Sequence, residues 1–247
     1  DFKFGKFASW IGAELCQSVD NPNFSRSLLF ENAITWTNTG LGISYPLLDS
    51  LTTSFYLVNG WDTFVDNNDS KTLGYQFNWN VGENTNFIVN GSHGAEQDED
   101  MVADADNNLR HFWDCIFAIK PFSKTTFNLN FVFGTEESGA NDVFGKDTAE
   151  QRLHYKTGKW WGFSGIVNQD VTDSFGLALR GEYFDDNDGA RRGVDSLQIW
   201  EITLTVNIKV GERLLIRPEV RYDKADLNIF NGHNGEVTTA IDLAYIF

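Results

Sequence analysis

The chain has 247 residues, a formal net charge of −16 and a mean hydropathy of −0.32. This acidity argues against nucleic acid as a partner, because phosphate backbones bind to Lys and Arg. No apolar run approaches the roughly 18 residues of a membrane-spanning helix, and two cysteines, Cys16 and Cys115, are too few for a disulfide scaffold, so we expect two free thiols. Yet 15% of the residues are aromatic, a heavy load for a polar chain.

Alternating apolar and polar residues predict strands along the whole chain. Between residues 72 and 81, for example, Leu73, Tyr75, Phe77 and Trp79 share one face and polar residues share the other. Runs of this kind predict twelve strands, at roughly 1–9, 35–47, 51–60, 71–81, 85–94, 108–120, 125–134, 158–169, 174–184, 196–209, 213–223 and 236–247. About ten residues is the length that a tilted strand needs to cross a bilayer.

The bulky apolar face indicates which kind of β protein this is. A closed interior cannot hold large rings on every strand, because small barrels alternate large and small side chains. A lipid-facing exterior has no such limit, and short turns that alternate with long polar loops are typical of periplasmic turns and extracellular loops. We therefore predict an all-β fold: one transmembrane antiparallel up-and-down β-barrel domain over residues 1–247, with about 12 strands in this chain. If only the alternation of apolar and polar residues is considered, a soluble all-β carbohydrate-binding domain is the alternative.

Charged residues on the polar faces of the last strands are predicted to line a water-filled pore. They are Arg180, Glu182, Glu201, Lys209, Arg217, Glu219, Arg221, Asp223 and Asp242. In a wet lumen such side chains need no fixed partner, and both charge signs tune ion preference. For any single one of them, a solvated strand face is the alternative interpretation.

The last predicted strand has an aromatic end. Ile241, Leu243, Tyr245 and Phe247 lie on one face, and such an ending is similar to the signal by which the barrel-assembly machinery recognises its clients. The alternative is an ordinary terminal strand of a soluble β protein.

The sequence contains little that indicates a catalytic site. None of the histidines His93, His111, His154 and His233 belongs to an HExxH element. A phospholipase-like pairing of His111 with Ser92 or His93, and a glycosidase-like pairing of Glu201 with Glu219, are both weaker interpretations than a barrel wall. We expect no enzyme activity and no cofactor.

Acidic loops are the other concentration of charge. Residues 95–106 contain six carboxylates and no Lys or Arg. Asp104-x-Asp106-x-Asn108 is similar to the start of a Ca²⁺-binding loop, but Leu109 occupies the position that needs Gly. We therefore expect solvated loops and no metal site.

Several longer phrases resemble one family. They are Gly5-Lys6-Phe7, Val58-Asn59-Gly60-Trp61-Asp62, Ala178-Leu179-Arg180-Gly181-Glu182-Tyr183-Phe184, Trp200-Glu201-Ile202-Thr203-Leu204 and Pro218-Glu219-Val220-Arg221-Tyr222-Asp223. Together they resemble the outer-membrane β-barrel porin family of the OmpL-like, "porin-2" type, over essentially the whole chain. These motifs are structural rather than catalytic.

The resemblance implies a porin in the outer membrane of a Gram-negative bacterium, passing ions or small hydrophilic solutes by passive diffusion. Expected partners are outer-membrane lipid, lipopolysaccharide and the assembly machinery, and an oligomer is compatible with the family. A structural or partner-binding barrel, such as an adhesin or a sheath for an electron-transfer partner, is the alternative.

Family members are usually longer, which implies that this chain holds the last 12 of about 16 strands. Residues 10–34 would then occupy the place of a loop folded into the lumen. Within them, Ser25 is the expected N-cap of a short helix that begins at Arg26.

Overall fold

The computed structural model describes residues 1–102, 105–137 and 157–245, and these contain one sheet of twelve antiparallel strands. The strands are β1 Phe2–Ala8, β2 Thr37–Leu48, β3 Leu51–Val58, β4 Thr72–Asn80, β5 Thr85–Ala95, β6 Leu109–Phe122, β7 Thr125–Glu136, β8 Gly158–Asp170, β9 Phe175–Asp186, β10 Leu197–Val210, β11 Leu214–Ala225 and β12 Gly235–Tyr245. The predicted twelve strands are confirmed, as is their up-and-down order.

Each strand pairs with its neighbour in sequence, and one side-chain face is mainly apolar over the middle of the strands. On β10, Trp200, Ile202 and Leu204 are 42%, 48% and 41% exposed, whereas Glu201 and Thr203 are buried. Period-two alternation therefore places apolar side chains on the outer face and polar ones on the inner face, as predicted. Among the described residues, β1 and β12 do not pair with each other.

Helical structure is confined to short turns. The described residues contain 3₁₀ turns at Ser18–Asp20 and Ala105–Asn107 and one π-helical turn at Leu29–Ala33. None of these is long and apolar enough to span a membrane. The predicted cap at Ser25 is wrong, because the hydroxyl that accepts from this turn is that of Ser27, 2.9 Å from the Phe30 amide nitrogen.

The link between β1 and β2, residues 9–36, lies against the inner face of the sheet; we call it the inner segment. Gln76 on β4 donates to the Trp10 carbonyl oxygen at 3.0 Å, and Arg217 on β11 donates to the Ser18 carbonyl oxygen at 2.9 Å. In a flat sheet, the seven strand intervals from β4 to β11 would span about 34 Å. Eight residues of extended chain reach at most about 29 Å, and the long Gln76 and Arg217 side chains cover the remaining distance, so the inner segment crosses the inner face from β4 to β11.

Close packing fixes the entry of the inner segment. The Trp10 ring stacks on Tyr56 with centroids 3.9 Å apart. It also lies over Gly74, where an added Cβ would come within 2.0 Å of the indole. Any larger residue at position 74 would therefore displace Trp10 from the inner face.

Candidate pore interior

Arg180 on β9 joins the inner segment to the wall of the sheet. Its guanidinium, which is fully buried, donates to the Ser25 carbonyl oxygen at 2.7 Å and to the Glu14 carboxylate at 3.1 Å. On the wall side, its Nε donates to Glu201 Oε1 at 2.8 Å. One buried cation thus neutralises carboxylates of both the segment and the neighbouring strand, which is the arrangement that a buried charge requires.

Two neighbouring wall residues bind the segment backbone. Glu182 Oε2 accepts a hydrogen bond from the Leu28 amide at 2.5 Å. Arg217 on β11 donates to the carbonyl oxygen and to the hydroxyl of Ser18, at 2.9 and 3.1 Å. Asp242 on β12 holds that guanidinium from the other side at 2.6 Å. Charge-assisted bonds to backbone groups fix the position of the segment as well as its charge balance.

The remaining anchors lie along β11. Arg221 donates to the Arg26 carbonyl oxygen at 2.6 Å and is oriented by two bonds of 2.7 Å to Asp223. Glu219 accepts from the Phe24 amide at 3.1 Å. The covered inner surface of β9–β12, which carries all these charged residues, is called the charged wall below.

The structure places the nine predicted lining residues on the inner face, but it gives most of them fixed partners. Arg180, Glu182, Arg217, Glu219 and Arg221 bind the segment directly. Glu201, Asp223 and Asp242 orient three of those arginines, and Lys209 is exposed near the β10–β11 turn on the strand face of Glu201. The expectation of solvated side chains without partners is therefore wrong for this wall, while a lining role remains a prediction.

The opposite inner surface carries uncharged amides. This amide wall consists of Gln76, Asn78, Asn86, Asn90, Asn128 and Asn130 on β4, β5 and β7. Asn86 Nδ2 donates to Asn78 Oδ1 at 2.6 Å, and Gln76 Nε2 donates to Asn90 Oδ1 at 3.0 Å. The sequence contained a signal for this wall, because the amides stand at alternate positions of predicted strands. The predicted pore lining nevertheless included only charged residues.

One buried carboxylate ties the amide wall to the inner segment. Asp114 on β6 accepts from the Gly12 amide at 2.8 Å and from Asn90 Nδ2 at 2.7 Å. A second amide, that of Asn130, donates to its other oxygen. Sequence reasoning missed Asp114 because its partners lie on three other parts of the chain.

Open space lies along the amide wall. A cavity of about 350 Å³ separates residues 8–16 of the chain from β4–β7. A second cavity of about 430 Å³ lies at the β4–β5 turn. Both are lined by Asn86, Ala118 and Asn128, so they adjoin along this side of the interior.

Long loops pack over the end of the sheet at which β6 and β8 begin. The Arg191 guanidinium contacts both the Trp61 and the Trp160 ring, 4.8 and 5.3 Å from their centroids. Burial lowers the pKa of Arg191 to about 10. Burial also raises the pKa of Glu96, which accepts from the Trp61 amide at 2.5 Å. These contacts order the loops at this end of the sheet.

Acidic side chains converge at the same end. The carboxylate oxygens of Asp69, Glu99 and Asp106 lie within 4.8 Å of one another, and the Asp69 amide donates to Asp106 at 2.8 Å. The nearby Asp69 carboxylate raises the pKa of Glu99. Such a cluster gives this end of the molecule a negative field. Asp104 and His154, like Phe247 of the predicted assembly signal, lie outside the described residues; Ile241, Leu243 and Tyr245 are exposed on the outer face.

The comparisons with known proteins agree with this architecture. The model of the family described as beta-barrel porin-2, OmpL-like, matches residues 1–247. The outer membrane channel DcaP of Acinetobacter baumannii superposes with a TM-score of 0.65 at 11% identity, covering 100% of this chain and 71% of that one. OmpT of the Vibrio cholerae outer membrane gives 0.63 at 11% identity, covering 100% and 76%.

A larger protein shares part of the same fold. The siderophore receptor PirA of Acinetobacter baumannii superposes with a TM-score of 0.51 at 14% identity over 85% of this chain. The chain spans only 38% of the length of that receptor. No curated protein matches the sequence. At these identities the solved structures show the fold alone, which is that of a bacterial outer-membrane β-barrel.

Proposed function

The chain belongs to the beta-barrel porin-2, OmpL-like family, and we propose that it is a passive channel for ions and small hydrophilic solutes, without catalytic activity. A soluble carbohydrate-binding domain does not fit an outer-membrane barrel. The proposal rests on one observation: polar side chains and open cavities lie inside a sheet whose outer face is apolar.

We further propose that solutes pass along the amide wall. The charged wall is covered by the inner segment, since Arg180, Glu201 and Arg217 are at most 2% exposed. Space remains on the other side, where the adjoining cavities meet at Asn86 and Asn128. Amide groups both donate and accept hydrogen bonds, so they can replace part of the hydration shell of an uncharged polar solute.

Ion preference on this proposal comes from exposed charge rather than from the buried network. The acidic cluster of Asp69, Glu99 and Asp106 is exposed at one end of the molecule. Fields of one sign concentrate counter-ions and fade as salt screens them. The proposed channel therefore prefers cations mildly at low ionic strength.

Cys16 offers a direct test in the protein as it exists. This thiol is exposed, lies in the inner segment and lines the 350 Å³ cavity. In planar bilayers we expect discrete conductance steps, and we expect a charged methanethiosulfonate reagent to lower them by adding bulk beside the passage. Cys115 serves as an internal reference because it shares the outer strand face with Trp113 and Phe117.

The matched control is Cys16→Ser, which keeps the size of the side chain but cannot react. Its conductance should not change with the reagent. Absence of steps would contradict the channel itself. Steps that the reagent leaves unchanged in the parent protein would instead contradict only the passage beside the inner segment.

A further inference from the structure

Two histidines face each other on the outer surface of the sheet. His93, two residues before the end of β5, pairs directly with His111, two residues after the start of β6. Directly opposed residues in antiparallel strands have Cβ atoms about 4.5–5.5 Å apart, so the strand register brings the imidazoles together. Their Nδ1 atoms are 3.1 Å apart.

Aromatic neighbours hold both rings. Tyr75 stacks on His93 with centroids 5.8 Å apart, and Trp113 stacks on His111 at 6.0 Å. Trp113 also contacts the His93 ring edge-on at 5.3 Å. The two rings therefore have restricted freedom, and the strands that carry them are hydrogen-bonded to each other. Such rigidity is what a preorganised ligand pair needs.

The separation of the nitrogens matches that of two ligands on one metal ion. Zn²⁺ binds imidazole nitrogen at about 2.0–2.1 Å. Two nitrogens 3.1 Å apart, each at that distance from a shared ion, subtend an angle of about 95–100°. This lies between the angles of square or octahedral coordination and of tetrahedral coordination.

We propose that His93 and His111 form a two-histidine site for a borderline divalent transition metal ion such as Zn²⁺ or Cu²⁺. Imidazole suits these ions, whereas Mg²⁺ and Ca²⁺ prefer oxygen ligands. Without metal, one ring donates its Nδ1 proton to the other. On binding, that proton moves to Nε2 of the same ring, so two neutral imidazoles present Nδ1 lone pairs and no net proton is released. Water fills the other coordination positions.

The site is separate from the acidic cluster in chemistry and position. Both histidines belong to strands and lie among outward rings, whereas Asp69, Glu99 and Asp106 belong to the connecting loops. It is also separate from the proposed passage, because the histidines share their strand face with outward-facing Phe87 and Phe117 rather than with Asn90. Metal binding and conduction can therefore be tested independently.

The test uses the folded protein in detergent micelles with Cu²⁺ or Zn²⁺ as the only added ligand. Electron paramagnetic resonance of one equivalent of Cu²⁺ should show two nitrogen ligands. His93→Gln and His111→Gln should each leave one nitrogen and weaken Zn²⁺ binding by about tenfold or more. Zn²⁺ binding should persist in excess Mg²⁺, which competes for carboxylates.

Two variants serve as controls. His233→Gln removes a histidine from the β11–β12 loop, and Asp106→Asn removes a carboxylate of the acidic cluster; neither should change the two-nitrogen spectrum. Heat-modifiable migration on gels reports that each variant is folded. The proposal is overturned if the double variant His93→Gln/His111→Gln keeps the parent affinity for Zn²⁺, or if folded parent protein gives no nitrogen-ligated Cu²⁺.

Discussion

Replacing Arg180 with Met removes the central cation of the charged wall while keeping most of the side-chain volume. The side chains of Arg180, Glu182 and Glu201 are 0% exposed, and that of Glu14 is 5% exposed. Three carboxylates would therefore lose their shared counter-charge in a buried place. Breaking a buried ion pair from one side costs about 3–5 kcal/mol, or roughly two to four orders of magnitude in the equilibrium between docked and released segment.

Release is expected to be partial, because Arg217 and Arg221 still hold the segment backbone. Single-channel recording of Arg180→Met should show open-channel current noise well above that of the parent protein. The double variant Arg180→Met/Arg217→Met should also raise the conductance step. The control is Arg213→Met, the same chemical change at an exposed turn. Parent-like noise and conductance in the double variant, with heat-modifiable migration retained, would refute the idea that these arginines position the segment beside the passage.

Two further predictions concern the outer face and the amide wall. Leu204→Arg, at the middle of β10, should lower the free energy of unfolding in lipid vesicles by about 2–4 kcal/mol, and Val210→Arg at the strand end by about 0–1; equal losses in urea titrations would argue against a midplane position. Asn86→Asp should shift the reversal potential across a salt gradient towards stronger cation preference, while Asn86→Gln should not. An unshifted potential would exclude Asn86 from the ion path.

The strands and their faces could be predicted from the sequence. Lipid on one side and water on the other impose a period of two on each strand, so Trp200 outside and Glu201 inside follow from local order alone. The same reasoning gave the number of strands and most of their ends. The family resemblance implied that residues 10–34 enter the lumen, and the inner segment lies against the inner face of the sheet.

What the inner charges do could not be predicted. Local pattern assigned Arg180, Arg217 and Glu219 to a wet lining, but their partners are 155 to 199 positions away in the sequence. The cap at Ser25 failed for a related reason, since the Ser25 hydroxyl accepts a hydrogen bond from the distant Arg180 guanidinium at 3.2 Å. A periodic pattern reports the average environment of a face and carries no information on which distant segment covers it.

The sequence by itself therefore determined a membrane-compatible sheet with an apolar exterior and a polar interior. Only the tertiary structure decided which part of that interior is covered, which part is open along Asn86 and Asn128, and that His93 meets His111 across two strands. The physical reason is that strand periodicity depends on neighbours two residues apart, whereas curling, loop docking and cross-strand register depend on contacts between residues far apart in the chain.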